Sequence, residues 1–204
     1  SGAQAELAEG VDLAAANGPK ATVLAGPVEA VARVKSRLES RGVRCRILPA
    51  SRAFHSSMMD PIMGVFEEHL KRIPRRAPLL PWVSSVTGQL ITAEEACSSE
   101  YWVRQLRAPV RFLQAVAQGM AVCDASLEVG SGDTLTRLVE QHPSARSLKA
   151  WVVSLPVRSD PGVPGEARAD GTEADRTVLL QAAGQLWSAG AKLAWSAIQP
   201  GVYK

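Results

Sequence analysis

Near the amino terminus, short apolar runs give way to one long segment of helical periodicity. Residues 11–16 and 21–25 are apolar, and an Asn-Gly-Pro turn sequence lies between them, which predicts two paired strands. Apolar residues then recur at helical spacing from Pro27 to Gly42. Because proline suits the first turn of a helix and glycine suits its end, these residues predict the limits of a helix.

A further strand is predicted over residues 43–48, where Val43, Cys45 and Ile47 alternate with polar residues. The end of another helix, over residues 3–9, precedes the first strand. The order helix, strand, strand, helix, strand predicts a ferredoxin-like split βαβ unit that lacks its first strand.

The remaining elements mix helices with strands, and the predicted fold class is α/β with an α+β part at the amino end. Further helices are predicted over residues 58–73, 98–107, 109–120, 134–141 and 176–190. Further strands are predicted over residues 79–86 and 125–129. The buried stripe of the first of these helices is predicted to be Met59, Ile62, Met63, Phe66 and Leu70. Residues 156–175, which are rich in proline, glycine and charge, predict a linker or mobile loop.

Composition and charge narrow the function classes. The 204 residues are 46% hydrophobic and 21% charged, as in ordinary globular domains. The net charge of +3 is too balanced to indicate nucleic-acid binding, and no apolar run is long enough to predict a membrane span. No secretory signal is visible and the three cysteines are scattered, which predicts a reduced, cytoplasmic protein. The three isolated histidines have no zinc-ligand spacing, so no metal site is predicted.

His55 is the residue best placed for chemistry, because it lies in a loop between a predicted strand and a predicted helix. An imidazole there suits general acid–base catalysis, and the alternative is a surface or capping histidine. The segment Gly130-Ser131-Gly132 also joins a strand to a helix, and we interpret it as a tight turn rather than an anion site. The Gly-Xaa-Ser-Xaa-Gly motif of a serine nucleophile does not occur in the sequence.

Five segments of the chain occur in the order found in one family. They read VDLAAANGPKATVLAGPVEAV, RAFHSSMMDPI, PWVSSVTGQL, EYWVRQLRAPVRF and LEVGSGDTLTRL. The chain therefore resembles the acyltransferase domains of modular type I polyketide synthases, and more distantly the malonyl-CoA:acyl-carrier-protein transacylases. Its last stretch, LLQAAGQLWSAGAKLAWSAI, is similar to the linker that follows such domains and wraps along the neighbouring ketosynthase.

The resemblance implies a division into three parts. Residues 1–55 would be a partial ferredoxin-like small subdomain that ends at the histidine loop. Residues 56–141 would be the returning, carboxyl-terminal part of an α/β-hydrolase-like large subdomain, and residues 142–204 the post-acyltransferase linker.

The activity that the resemblance implies is a ping-pong transfer. Malonyl-CoA acylates a serine, and the phosphopantetheine thiol of an acyl carrier protein then takes the acyl group. His55 matches the general base, and Gln105 matches the residue whose backbone carbonyl orients that base. Phe54 matches a selectivity position where phenylalanine accompanies malonyl, because its ring fills the space of an α-methyl group; Arg52 replaces the histidine usual at its own place. No bound cofactor is implied, since CoA enters as a thioester substrate.

The resemblance also shows what these residues lack. In the family, the serine, the arginine that grips the malonyl carboxylate and the oxyanion-hole glutamine precede the small subdomain, and this chain starts inside it. The chain could be a piece of a longer polypeptide, a half completed by another chain or interrupted by an inserted domain, or a decayed remnant. Two functions follow: part of a malonyl-loading acyltransferase that needs the missing amino-terminal half, or an inactive docking scaffold within a polyketide synthase. An unrelated ferredoxin-like binding module would explain only the first quarter of the chain.

Overall fold

The computed structural model describes residues 10–50, 52–156 and 171–198. The chain divides into two compact units, Ser1–Gln118 and Gly119–Lys204. The helix end predicted over residues 3–9 and residues 157–170 of the predicted linker lie outside the described residues. No helix in the described ranges is long and apolar enough to cross a membrane.

The elements follow one another in mixed order. The first unit contains β1 (Asp12–Gly18), β2 (Ala21–Ala25), α1 (Val28–Ser40), a 3-10 turn (Ser57–Met59), α2 (Asp60–Lys71), α3 (Ala93–Cys97) and α4 (Ser99–Arg107). α5 (Phe112–Met120) crosses the boundary between the units. The second unit contains β3 (Ala125–Ser131), α6 (Thr134–Glu140), a 3-10 turn (Ala145–Ser147), β4 (Ala150–Leu155), α7 (Gly171–Ser188) and α8 (Trp195–Ile198).

β1, β2 and α1 form the first layer of the structure and confirm three of the predicted elements. The two strands pair antiparallel, with Asp12 opposite Ala25. The buried side chains of Ala30 and Val34 on α1 pack against Val11. Burial of this one face is what holds a short helix onto a hairpin, because the helix is too short to be stable by itself.

The strand predicted over residues 43–48 is wrong: these residues belong to no strand in the structure. An alternating pattern becomes a strand only when a neighbouring strand supplies hydrogen bonds, and the described chain provides none here. The Val43 N–H instead donates to the Leu38 carbonyl at 3.0 Å and closes the end of α1. Val43 and Ile47, which the pattern placed on the apolar face, are exposed to 47% and 58% of their area, and Leu48 beside them to 49%.

The buried strand predicted over residues 79–86 is also wrong. Leu79 and Leu80 are 99% and 78% exposed. Pro81 follows them and has no N–H to donate to a strand ladder, which is the local reason that no ladder forms. Beyond it, a single bridge joins Val83 to Leu90.

α2 and α4 pack together and carry the buried residues nearest the histidine loop. Met59 and Leu70 are buried from the α2 side, and Tyr101 and Val103 are buried from α4. The predicted stripe is confirmed at Met59 and Leu70 but is wrong at Ile62, which is 48% exposed.

The second unit is a parallel βαβ arrangement. β3 and β4 pair in parallel, with Leu127 opposite Val152, and α6 lies between them in the chain. Parallel strands need such a crossover connection, which makes this part α/β. β4 was not predicted, and α7 begins at Gly171, inside the stretch predicted as a linker.

Candidate active site around His55

His55 stands out by its backbone. It has a φ of 62°, and it is the single residue other than glycine with positive φ among the described residues. The left-handed region disfavours side chains with a Cβ, although histidine enters it more often than most, and such a conformation costs about 1–3 kcal/mol. The surrounding contacts therefore have to hold this residue in place.

Two carbonyls at the end of α4 provide those contacts. The His55 N–H donates to the Leu106 carbonyl at 3.1 Å. The imidazole Nδ1 lies 2.8 Å from the Ala108 carbonyl oxygen. Since a carbonyl oxygen can only accept, Nδ1 must carry the proton. Nε2 of the neutral ring is then left with a free lone pair, and no hydrogen bond to Nε2 is present within the described ranges.

The expected acceptor, the Gln105 carbonyl, is not the one that the structure uses. Gln105 lies in the last turn of α4, where its carbonyl is directed along the helix axis. Ala108 follows the helix with extended backbone, φ −73° and ψ 152°, which turns its carbonyl out of the helix direction toward His55. Pro109 is the residue in the sequence that indicates this turn, because the residue before a proline favours extended over helical backbone.

An ionic network ties the histidine loop to its neighbours. The Asp12 carboxylate on β1 accepts hydrogen bonds from the Ser57 N–H and the Ser57 hydroxyl, each at 2.8 Å. Arg107, the last residue of α4, lies 3.4 Å from Asp12 and donates from Nε to Asp60 on α2 at 2.7 Å. Sequence reasoning missed this network, because its members are spread over four elements.

The charge state of Asp12 reflects these contacts. Burial by itself would raise the pKa of the Asp12 carboxyl, but the Ser57 backbone and side-chain hydrogen bonds and the positive charge of Arg107 outweigh it. The pKa of Asp12 therefore lies below its ordinary value of 3.8. The carboxylate is charged at neutral pH and remains the acceptor for Ser57.

The serines that follow His55 do not serve as its partner. The Ser56 hydroxyl is fully buried and donates to the Ala53 carbonyl at 2.6 Å. The Ser57 hydroxyl donates to Asp12. A nucleophile must give its proton to the base, and each of these hydroxyls gives its proton elsewhere.

The two predicted selectivity residues lie in the histidine loop. Phe54 precedes His55 and is 52% exposed, so its ring is available to line a substrate site. Arg52 is exposed as well. An open concavity near the end of α4 is lined by residues that include Arg104, Ala108, Pro109 and Arg111, and His55 is not among its lining residues.

The glycine turn of the second unit is not an anion site. The Glu128 carboxylate accepts hydrogen bonds from the N–H groups of Leu135 and Thr136, at 3.0 and 2.7 Å. The first turn of α6 is therefore already satisfied by a carboxylate of the same chain. Gly130 and Gly132, both with positive φ, allow the tight turn.

The histidine loop and the end of α4 both lie within the part of the chain that matches a known family. The family model for the acyl transferase domain matches residues 2–158, which include both. The chain belongs to this acyltransferase family. It is part of an acyltransferase domain of the kind found in polyketide synthases.

Relatives of this acyltransferase chain are large synthases. It is 34% identical over 197 residues to the phenolphthiocerol synthesis polyketide synthase type I Pks15/1 of Mycobacterium bovis (strain ATCC BAA-935 / AF2122/97), an alignment that covers 96% of this chain and 8% of the relative. It is 33% identical over 188 residues to the polyketide synthase GfsA of Streptomyces halstedii, over 92% of this chain and 2% of that synthase. The chain therefore spans a small fraction of the synthases it matches.

Solved structures show the same fold. The acyltransferase domain of SpnD, in complex with 2-(pent-4-yn-1-yl)malonyl, is 34% identical with a TM-score of 0.76, over 92% of this chain and 44% of that one. The acyltransferase domain from the second module of the salinomycin polyketide synthase is 29% identical with a TM-score of 0.80, over 95% of this chain and 43% of that one. The chain thus spans less than half of these acyltransferase domains.

Proposed function

We propose that this chain supplies the general base of an acyltransferase that moves a malonyl-type unit from CoA to an acyl carrier protein. One observation carries the proposal: the Ala108 carbonyl fixes the proton on Nδ1 of His55 and leaves Nε2 as a free base. This is the role that the third member plays in a Ser-His-Asp triad, here performed by main chain.

The chemistry needs a serine from outside these residues. Nε2 of His55 takes the proton from that serine as its oxygen attacks the thioester carbonyl carbon. The carbon–sulfur bond then breaks, and the CoA sulfur takes the proton from Nε2 and leaves as the thiol, which frees Nε2 again. In the second half, Nε2 takes the proton of the phosphopantetheine thiol, whose sulfur attacks the acyl-serine ester, and the serine oxygen recovers its proton.

Two uncovered apolar stretches are an argument that a serine-bearing segment packs against this chain. Residues 43–48 keep a strand pattern with no partner, and Leu79 and Leu80 are exposed. On this proposal β1, β2 and α1 belong to a ferredoxin-like small subdomain, and residues 56–141 belong to the returning part of a large subdomain. Residues 142–204 would be the post-acyltransferase linker that meets a neighbouring ketosynthase.

The acyl group is proposed to be malonyl or a substituted malonyl. Phe54 and Arg52 in the histidine loop are the proposed selectivity residues. The SpnD domain carries a substituted malonyl group in its structure. Because one methyl group changes selectivity by only about 1–3 kcal/mol, a single ring at Phe54 gives a moderate preference for malonyl.

The test is acylation of the complete domain that contains these residues. Incubation with malonyl-CoA is expected to add one malonyl group to the protein by intact mass. His55→Gln is expected to slow acylation by at least about 100-fold, because the serine loses its base. His69→Gln is the matched control, since the Nδ1 of His69 also bonds a backbone carbonyl, that of Val65 at 2.8 Å, on the exposed face of α2.

Two results contradict the proposal. A wild-type domain that forms no adduct would indicate the docking scaffold, the alternative that rests on the absent Gly-Xaa-Ser-Xaa-Gly motif in these residues. Equal acylation rates for the wild type and the His55→Gln variant would remove His55 from the reaction.

A further inference from the structure

The strained conformation of His55 is held by contacts between two parts of the chain, which must keep their positions relative to each other. One is the end of α4, whose Leu106 and Ala108 carbonyls bind the backbone and the ring of His55. The other is the loop that carries His55 into the turn at Ser57. If the loop moves away from α4 by about 1 Å, the bond from Nδ1 to the Ala108 carbonyl is lost.

Arg107 and Asp12 join these two parts of the chain. Asp12 holds both the N–H and the hydroxyl of Ser57, two residues after His55. Arg107 lies between the two carbonyls that bind His55, and its side chain contacts Asp12. The same guanidinium donates to Asp60 in the first turn of α2, which follows the loop.

We propose that Arg107 and Asp12 are positioning residues, which keep the proton of the His55 ring on Nδ1 and its Nε2 free for the reaction. The proposal rests on the proposed acyl transfer for its effect on rate, but its effect on the His55 ring is independent of that function. Neither side chain touches the reacting atoms on this proposal; both act through the backbone of the histidine loop.

The planar shape of the Arg107 guanidinium contributes to the positioning of the histidine loop, in addition to its charge. Arg107 reaches Asp12 and Asp60 at the same time, from Nη2 and Nε respectively. A lysine has one compact charge and cannot reproduce two diverging contacts in a plane. Arg107→Lys is therefore expected to keep only part of the effect.

Other contacts hold the fold when the network is removed. Val110 exchanges backbone hydrogen bonds with β1, donating to Ala14 at 2.9 Å and accepting from Ala16 at 2.8 Å. These bonds join β1 to the segment after α4 without Arg107. Arg107→Ala is therefore expected to fold, with the histidine loop as the part that loosens.

The experiment uses the complete domain with ¹⁵N-labelled histidine and two readouts. Long-range ¹H–¹⁵N spectra report which ring nitrogen of His55 carries the proton, and His55→Gln assigns the signal. Steady-state kinetics with malonyl-CoA report kcat and KM. Arg107→Ala and Asp12→Ala are expected to lose the single Nδ1–H tautomer, and to lower kcat on the order of 10-fold with KM changed less than about twofold.

Arg137→Ala is the matched control. Arg137 donates from Nε to Asp133 at 2.7 Å, the same donor atom and distance as for Arg107 with Asp60, but it lies on α6 in the second unit. It is expected to match the wild type in both readouts. If Arg107→Ala does not fold, Arg107→Lys and Asp12→Asn are measured in its place with the same criteria.

The outcomes separate this proposal from the proposed function. An Arg107→Ala variant that keeps the Nδ1–H tautomer and the wild-type kcat overturns the positioning role. A wild-type domain without acyl transfer overturns the proposed function. In that case the tautomer spectra alone decide whether Arg107 and Asp12 position the ring.

Discussion

The Ser84 hydroxyl and the Tyr101 hydroxyl lie 2.7 Å apart, and both residues are buried. Ser84 Oγ also accepts from the Val86 N–H at 3.1 Å, so one side chain connects a tight turn to α4. Tyr101 packs edge-on against Trp82 and Trp102, with ring centroids 6.3 and 5.4 Å apart. This polar contact within an aromatic cluster anchors α4, which in turn presents the carbonyls that His55 needs.

Removal of either hydroxyl is expected to destabilise the chain. Ser84→Ala leaves a buried tyrosine hydroxyl without this partner, and the free energy of unfolding is expected to fall by about 1–3 kcal/mol. Chemical denaturation measures the change. The double variant with Tyr101→Phe is expected to cost less than the sum of the two single variants. Ser188→Ala, which removes an exposed hydroxyl that bonds the Gly184 carbonyl, is the control. Additive effects would contradict the coupling.

Gly88 is expected to tolerate no side chain. Its φ is +73°, and a Cβ there would lie 2.7 Å from the Cβ of Gln114. Gly88→Ala therefore combines backbone strain with a clash, and is expected to lower the free energy of unfolding by roughly 1–3 kcal/mol. Gly64→Ala is the opposite case, because Gly64 lies within α2 with open space around its Cβ position. Gly64→Ala is expected to raise the free energy of unfolding by roughly 0.5–1 kcal/mol. Equal effects from the two variants would contradict the constraint proposed at Gly88.

The network around Asp12 is expected to appear in the pH dependence of stability. The folded-state pKa of Asp12 is lowered from 3.8, so its stabilising effect is complete above that value and is lost as pH falls through the lower, folded-state pKa. The groups that face the carboxylate are Ser57, Arg107 and, through Arg107, Asp60. Unfolding measured from about pH 5 down to about pH 2 should show a steeper loss for the wild type than for Asp12→Asn. Parallel curves would count against this charge coupling.

Glu128 is expected to stabilise the second unit through α6. Its carboxylate accepts from two N–H groups of the first turn, so Glu128→Ala leaves both donors without their acceptor. The free energy of unfolding of the second unit, measured by thermal denaturation, is expected to fall by about 1–2 kcal/mol. Glu140→Ala, at the other end of the same helix, is the comparison. No difference between the two variants would mean that water replaces the carboxylate without cost.

Periodicity was sufficient to predict most of the helices, because a helix satisfies its own backbone. α1, α4 and α6 begin and end within two or three residues of the predicted limits. Strands were harder to predict, since a strand exists only beside its partner. Residues 43–48 have the pattern without a partner, whereas β4 was missed although β3 pairs with it.

Only part of the candidate site could be predicted, because some of its contacts join residues that are distant in the chain. His55 could be found from its place between elements and from the family resemblance. Which carbonyl accepts from His55 depends on the residue at which α4 ends before Pro109. A helix that ended one turn earlier or later would present a different carbonyl. Asp12 and Arg107 are distant in the chain and meet only after folding, so no local pattern marked them.

The positive φ of His55 has a consequence for how this site would change over generations. Glycine and asparagine adopt that backbone conformation more readily than histidine, so replacing His55 by either removes strain instead of adding it. Loss of the imidazole would remove its hydrogen bond to the Ala108 carbonyl but would also relieve the backbone strain, so the net effect on the free energy of unfolding would be small. Folding stability alone therefore gives little advantage to histidine at this position, and selection that keeps it would act on the chemistry of the ring.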